Sequence, residues 1–183
     1  CVTMKNIDSY SHTRGESIYV DDIALLQGTL YAVAYDSKVA HGKIRHLSLE
    51  AAKAYPGVEA ILTYRDIPGE NQIGGILPDE ELLAENEVHF CGMPIALVVA
   101  QSQEIAEAAA KLIEVDFEIL EPITDAREAA RKNKLILPPR TFQIGDTASQ
   151  WSNCAHIIEG NAESGGQEHL YIETQGAYAI PLE

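Results

Sequence analysis

Basic residues are scarce in this sequence: 13 Lys and Arg stand against 28 Asp and Glu, a formal net charge of -15 over 183 residues. Such a surface repels polyphosphates and anionic lipid headgroups, which argues against nucleic acid or a membrane surface as partner. Cysteine is scarce too. Cys1, Cys91 and Cys154 lie far apart, form no C-x-x-C pair and leave an odd count, so neither a disulfide framework nor a zinc site is indicated, and a reducing cytoplasm fits. No apolar run approaches the roughly 20 residues that cross a bilayer, and no charged-then-apolar leader opens the chain. There is no G-x-x-x-x-G-K-[ST] phosphate loop, and Gly69, Gly74 and Gly75 follow no dinucleotide fingerprint. Internal repeats and low-complexity stretches are also lacking.

What is present is enough apolar material for a core. Hydrophobic residues make up 46% of the chain, and this length holds one full domain with part of a second. Both ends read as cuts: Cys1 stands where a Met would open a complete chain, and Leu182-Glu183 matches a common vector remnant.

Past a polar opening, Leu30-Tyr31-Ala32-Val33-Ala34-Tyr35 reads as a buried strand between turn residues. Ser48 is placed to cap a short helix over 49–55 that stops at Pro56-Gly57, and a strand follows over 58–64. The acidic, poorly periodic residues 70–87 read as a long surface excursion. Pro94 then leads into Ile95-Ala96-Leu97-Val98-Val99-Ala100, a strand buried on both faces, and Ser102 caps an alanine-rich helix running to Leu112. In residues 113–119 apolar and acidic side chains alternate, as in a strand with one wet face, which completes a β-α-β unit. Asp125 and Glu128 have capping-box spacing for a further short helix. Pro138-Pro139 marks a linker, Asp146 caps a last helix ending near Asn153, and strand candidates remain at 156–160 and 170–180. Cys91-Gly92-Met93-Pro94 reads as a turn whose cysteine is a small buried apolar residue.

The segment with the most chemical content is Gly165-Gly166-Gln167-Glu168-His169-Leu170-Tyr171-Ile172-Glu173-Thr174-Gln175. Two glycines allow close backbone approach, and Gln167 offers donors and an acceptor without charge, which suits a bound polar cofactor. The same residues also suit an ordinary hairpin or bulge ahead of a strand. Glu168, His169 and Glu173 invite a metal-hydrolase reading. On a strand, however, His169 and Glu173 stand about 13 Å apart, too far for one ion. His12, His41, His46, His89 and His156 show no ligand spacing. Taken by themselves the residues supply no catalytic set and no metal site.

The sequence resembles the N-terminal α/β-hammerhead portion of the molybdenum-cofactor subunit in the xanthine dehydrogenase and aldehyde oxidase family. The resemblance rests on Gly15-Glu16-Ser17-Ile18-Tyr19-Val20-Asp21-Asp22, Pro56-Gly57-Val58-Glu59-Ala60-Ile61-Leu62-Thr63 and Asp66-Ile67-Pro68-Gly69. It continues through Gly92-Met93-Pro94-Ile95-Ala96-Leu97-Val98-Val99-Ala100, where Met93 replaces the family's glutamine, then 108–118, Gly145-Asp146 and the Gly-Gly-Gln segment.

The resemblance implies an α+β fold: an α/β-hammerhead with a mixed sheet and a β-α-β unit over residues 13–130, a linker over 131–145, and a truncated piece of the molybdopterin-binding domain over 146–183. It implies an oxidoreductase that hydroxylates a heterocycle or aldehyde with oxygen from water at a molybdenum-pyranopterin, passing electrons through 2Fe-2S clusters to FAD on other domains or subunits. In the family the glutamine of Gly-Gly-Gln contacts an oxo ligand of molybdenum. Gln167 is therefore the implied cofactor contact, with Gly165 and Gly166 beside it, while the family's glutamate base lies beyond Glu183. The implied partners are the remainder of the molybdenum-binding domain, the iron-sulfur and FAD portions and a small-molecule substrate, with a homo-oligomer allowed. On this reading the chain is cytoplasmic and, in isolation, inactive. The competing reading is a non-catalytic assembly or interaction module that reuses the hammerhead domain.

Overall fold

The apolar run at 95–100 forms the middle of a sheet and contributes to two apolar cores. The computed structural model describes residues 8–171 and 175–181. In chain order its elements are α1 (Asp8–Arg14), β1 (Tyr31–Asp36), β2 (Gly42–Ser48), α2 (Glu50–Lys53), β3 (Val58–Thr63), β4 (Glu87–Val88), β5 (Pro94–Ala100), α3 (Gln103–Ala110), β6 (Glu114–Ile119), α4 (Ala126–Arg131) and α5 (Thr147–Gln150). Contacts divide the chain into one unit of residues 26–137 and another formed by 1–25 with 138–183. Among the described residues no helix is long and apolar enough to cross a membrane.

Unit 26–137 holds two three-stranded sheets, ordered β1-β5-β3 and β4-β2-β6. Every pairing is antiparallel, so the mixed sheet expected from the sequence is replaced by two antiparallel ones. Strand β5, helix α3 and strand β6 do follow one another, but their strands join different sheets. The connection is therefore not a crossover between parallel neighbours.

Alternation along β5 feeds two cores. Ala96, Val98 and Ala100 face one that also takes Ala52, Ile61, Ile113 and the alanines Ala106, Ala109 and Ala110 of α3, whose small side chains let helix and sheet approach closely. Ile95 faces the other, with Ala84, Val88 and Met93. Tyr35, Leu47 and Val115 touch both cores and tie the sheets together. Ser102 caps α3 by accepting from the Ile105 N–H, and Asp125 caps α4 by accepting from Glu128 N–H at 2.7 Å, as the sequence indicated.

Several expectations are corrected. Strand β2 escapes a reading by periodicity because its register shifts between Ile44 and His46, leaving Arg45 as an extra residue. That bulge brings Ile44 and Leu47, three apart and so out of strand phase, onto packed faces. Ser48 ends β2 and does not cap α2; Leu49 takes the N-cap position with no side-chain cap. Cys91 is exposed, because the turn through Gly92 (φ 94°) carries it outward and Met93, 3% exposed, fills the core instead. The excursion over 70–87 is not wholly at the surface: Leu83 and Ala84 are buried, and Ala84 N–H donates to the Pro94 carbonyl at 2.8 Å.

In the unit formed by 1–25 and 138–183, Asp146 caps α5 by accepting from Ser149 N–H at 3.2 Å, and a 3-10 turn continues to Asn153. The strand candidates at 156–160 and 170–180 are not strands where described. Strands are held by neighbours, and no ladder forms there; Leu170 in addition takes φ 51°, which no continuous strand allows. Ile172, Glu173, Thr174 and the terminal Leu182-Glu183 lie outside the described residues, as does Cys1.

Candidate functional site

Gly165, Gly166 and Gln167 lie in an exposed stretch without regular structure. Neither glycine has a positive φ, and a Cβ added at either would meet nothing within 4 Å among the described residues. Their backbone is thus open to a group arriving from outside the chain. Gln167 presents a neutral amide next to it, a donor set that fits an electron-rich oxygen acceptor, where a carboxylate would repel it.

Of the alternative residues nearby, Glu168 and His169 are described, and both make other contacts. The His169 backbone N–H donates to the Glu168 carboxylate at 2.8 Å, and the His169 ring lies against Tyr171 with centroids 5.9 Å apart. Glu168 is thus turned to its neighbour's backbone. Glu173, the third member of that reading, lies outside the described residues.

A second constellation, unread in the sequence, lies in unit 26–137. His41 precedes β2, and Glu87 and His89 stand at β4 and just beyond it. His41 Nε2 is 2.7 Å from Glu87 Oε1, and His89 Nδ1 is 3.8 Å from the same oxygen. The His41 and Glu87 side chains are about 30% exposed and that of His89 61%. The hydrogen bond with the Glu121 carbonyl, then that with Glu87, raises the His41 pKa above the usual histidine value. The bond from His41 holds Glu87 below the usual carboxylate range. His41 and His89 line a cavity of about 1110 Å³, together with Phe90, Cys91, Lys132 and Lys134. The sequence signal was the i, i+2 spacing of Glu87 and His89; their partner His41 was hidden with β2.

Comparison with known proteins matches the chain to one family. Residues 14–121 match the domain described as aldehyde oxidase and xanthine dehydrogenase, a/b hammerhead domain, and residues 127–183 match the molybdopterin cofactor-binding domain. The chain belongs to the aldehyde oxidase and xanthine dehydrogenase family. It is 35% identical over 180 residues to xanthine dehydrogenase of Dictyostelium discoideum, covering 98% of this chain and 13% of that protein. It is 36% identical over 167 residues to xanthine dehydrogenase/oxidase of Gallus gallus, covering 91% of this chain and 12% of that one. Among solved structures, the aldehyde oxidoreductase of Desulfovibrio desulfuricans superposes with a TM-score of 0.62 at 28% identity, covering 67% of this chain and 15% of that one. The chain thus spans about an eighth of the length of the curated relatives it matches.

Proposed function

We propose that this chain is the hammerhead portion and the beginning of the cofactor-binding portion of a molybdenum-dependent oxidoreductase that hydroxylates a heterocycle or an aldehyde. The division proposed is a hammerhead domain over 13–130, a linker over 131–145 and the opening of the molybdopterin-binding domain over 146–183. In support of two portions, both apolar cores are built from residues within 26–137, the hammerhead match covers 14–121 and the cofactor-domain match covers 127–183. When bound, the molybdenum-pyranopterin supplies the two-electron oxidation and directs oxygen from water to the substrate carbon.

The contribution of this chain is positional. Gln167 offers an amide N–H to an acceptor oxygen of the cofactor, and Gly165 and Gly166 keep the approach clear of side chains. The hammerhead provides a rigid body on which later residues assemble, so the chain by itself does not turn over substrate. Iron-sulfur and FAD portions, on other domains or subunits, take the electrons onward, and the assembled protein works in the cytoplasm. The observation carrying this reading is the exposed neutral amide of Gln167 behind two glycines inside the cofactor-domain match.

The test is the complete protein purified from its source and offered xanthine and an aromatic aldehyde in ¹⁸O-labelled water. Molybdenum in the protein and label in the oxidised product are expected. A protein free of molybdenum that oxidises neither compound would sink the reading.

A further inference from the structure

The pairing of β2 with β4 sets Gly42 opposite Val88 and Lys43 opposite Glu87. Continuing that antiparallel register one residue outward brings His41 across from His89, and strand alternation puts Glu87 and His89 on one face. The His41 and His89 ring centroids are 6.0 Å apart, and one ligand atom from each of His41, Glu87 and His89 lies within 4.8 Å of the other two.

Hydrogen bonding fixes which nitrogen of His41 is available. Its Nδ1 stands 3.1 Å from the Glu121 carbonyl oxygen, which only accepts, so Nδ1 carries a hydrogen and donates it. In the neutral ring the lone pair then resides on Nε2, the atom that faces Glu87 Oε1 at 2.7 Å. Two acceptors meet that closely only with a cation between them, either a proton or a metal ion. A lone ion pair would use the proton and leave His89 uninvolved, yet His89 Nδ1 points at the same carboxylate oxygen from 3.8 Å. Around a tetrahedral ion with bonds of about 2.0–2.1 Å, adjacent donor atoms lie about 3.3 Å apart. The two observed separations bracket that value.

We propose that His41 Nε2, Glu87 and His89 Nδ1 form a binding site for a divalent transition-metal ion of the zinc type. Two imidazoles and a carboxylate are the donor set such ions accept, and the Glu121 carbonyl behind His41 is the outer hydrogen-bond acceptor that orients metal-bound histidines. The adjoining groove leaves the fourth position to water or a small ligand. The positive charge of Lys134 bears on His41 and limits affinity. The site shares no residue with Gly165, Gly166 or Gln167, and its success or failure leaves the molybdenum reading untouched.

The test is calorimetric titration of Zn²⁺ into the full chain after removal of metal with a chelator, near neutral pH. One ion per chain is expected. His89→Ala, at an exposed side chain where folding is not at stake, and His41→Ala each weaken binding about tenfold or more. Cys91→Ser, in the same groove, leaves binding unchanged. Absence of binding in the unaltered chain, binding that survives both histidine replacements, or binding lost with Cys91→Ser would each overturn the site.

Discussion

Asn71 does for Leu83 what a neighbouring strand would do: its amide Nδ2 donates to the Leu83 carbonyl at 2.7 Å, and its Oδ1 accepts from the Leu83 N–H at 3.0 Å. This ties positions 12 apart and goes with the burial of Leu83, 4% exposed, and Ala84, 2% exposed. Removing both bonds leaves two backbone groups of a buried residue without those partners. Asn71→Ala should lower the unfolding free energy by about 2 kcal/mol in urea denaturation. Asn71→Asp retains the acceptor but sets a charge against a carbonyl, so it should do no better. A loss under about 0.5 kcal/mol for Asn71→Ala would show that the clamp is ornamental.

Glycines in this chain serve two different purposes, and substitution separates them. Gly57 has φ 89°, so Gly57→Ala carries backbone strain, and a Cβ there, 2.8 Å from Ile105 Cδ1, would make that side chain shift. A cost of about 1–3 kcal/mol is expected from thermal or urea unfolding. Gly165→Ala and Gly166→Ala meet nothing within 4 Å among the described residues and should leave unfolding within about 0.5 kcal/mol of the parent. A large stability loss at either would mean that these glycines are structural.

The 3-10 turn after β3 is set by acid. Asp66 accepts from the Thr63 N–H at 2.8 Å and from Thr63 Oγ1 at 3.1 Å, and those bonds hold its carboxyl below the usual carboxylate range. A depressed folded-state pKa stabilises fully above the unfolded value near 3.9, and the contribution is lost as pH falls through the lower, folded value. The melting temperature of the parent should therefore fall further than that of Asp66→Asn between about pH 5 and pH 2. Parallel declines for the two proteins would contradict the cap.

Much of the hammerhead was legible because its signals are local. The run at Ile95-Ala96-Leu97-Val98-Val99-Ala100, the alternation in β6 and the caps at Ser102, Asp125 and Asp146 each announce an element within a few residues. Strand β2 was illegible because Arg45 breaks its phase, and with β2 went the pairing that brings His41 to Glu87 across 46 positions. Local preference also misled at 156–160, where apolar residues suggest a strand but no ladder forms among the described residues. Gln167 carried little signal by itself; the order of matched segments along the chain singled it out.

The most direct measurement of the central claim is turnover per molybdenum in the complete protein carrying Gln167→Ala, with metal content and unfolding followed in the same preparation. Retained molybdenum, unchanged unfolding and turnover lowered about tenfold or more are expected if the amide donates to the cofactor. Turnover per molybdenum equal to that of the parent would contradict it.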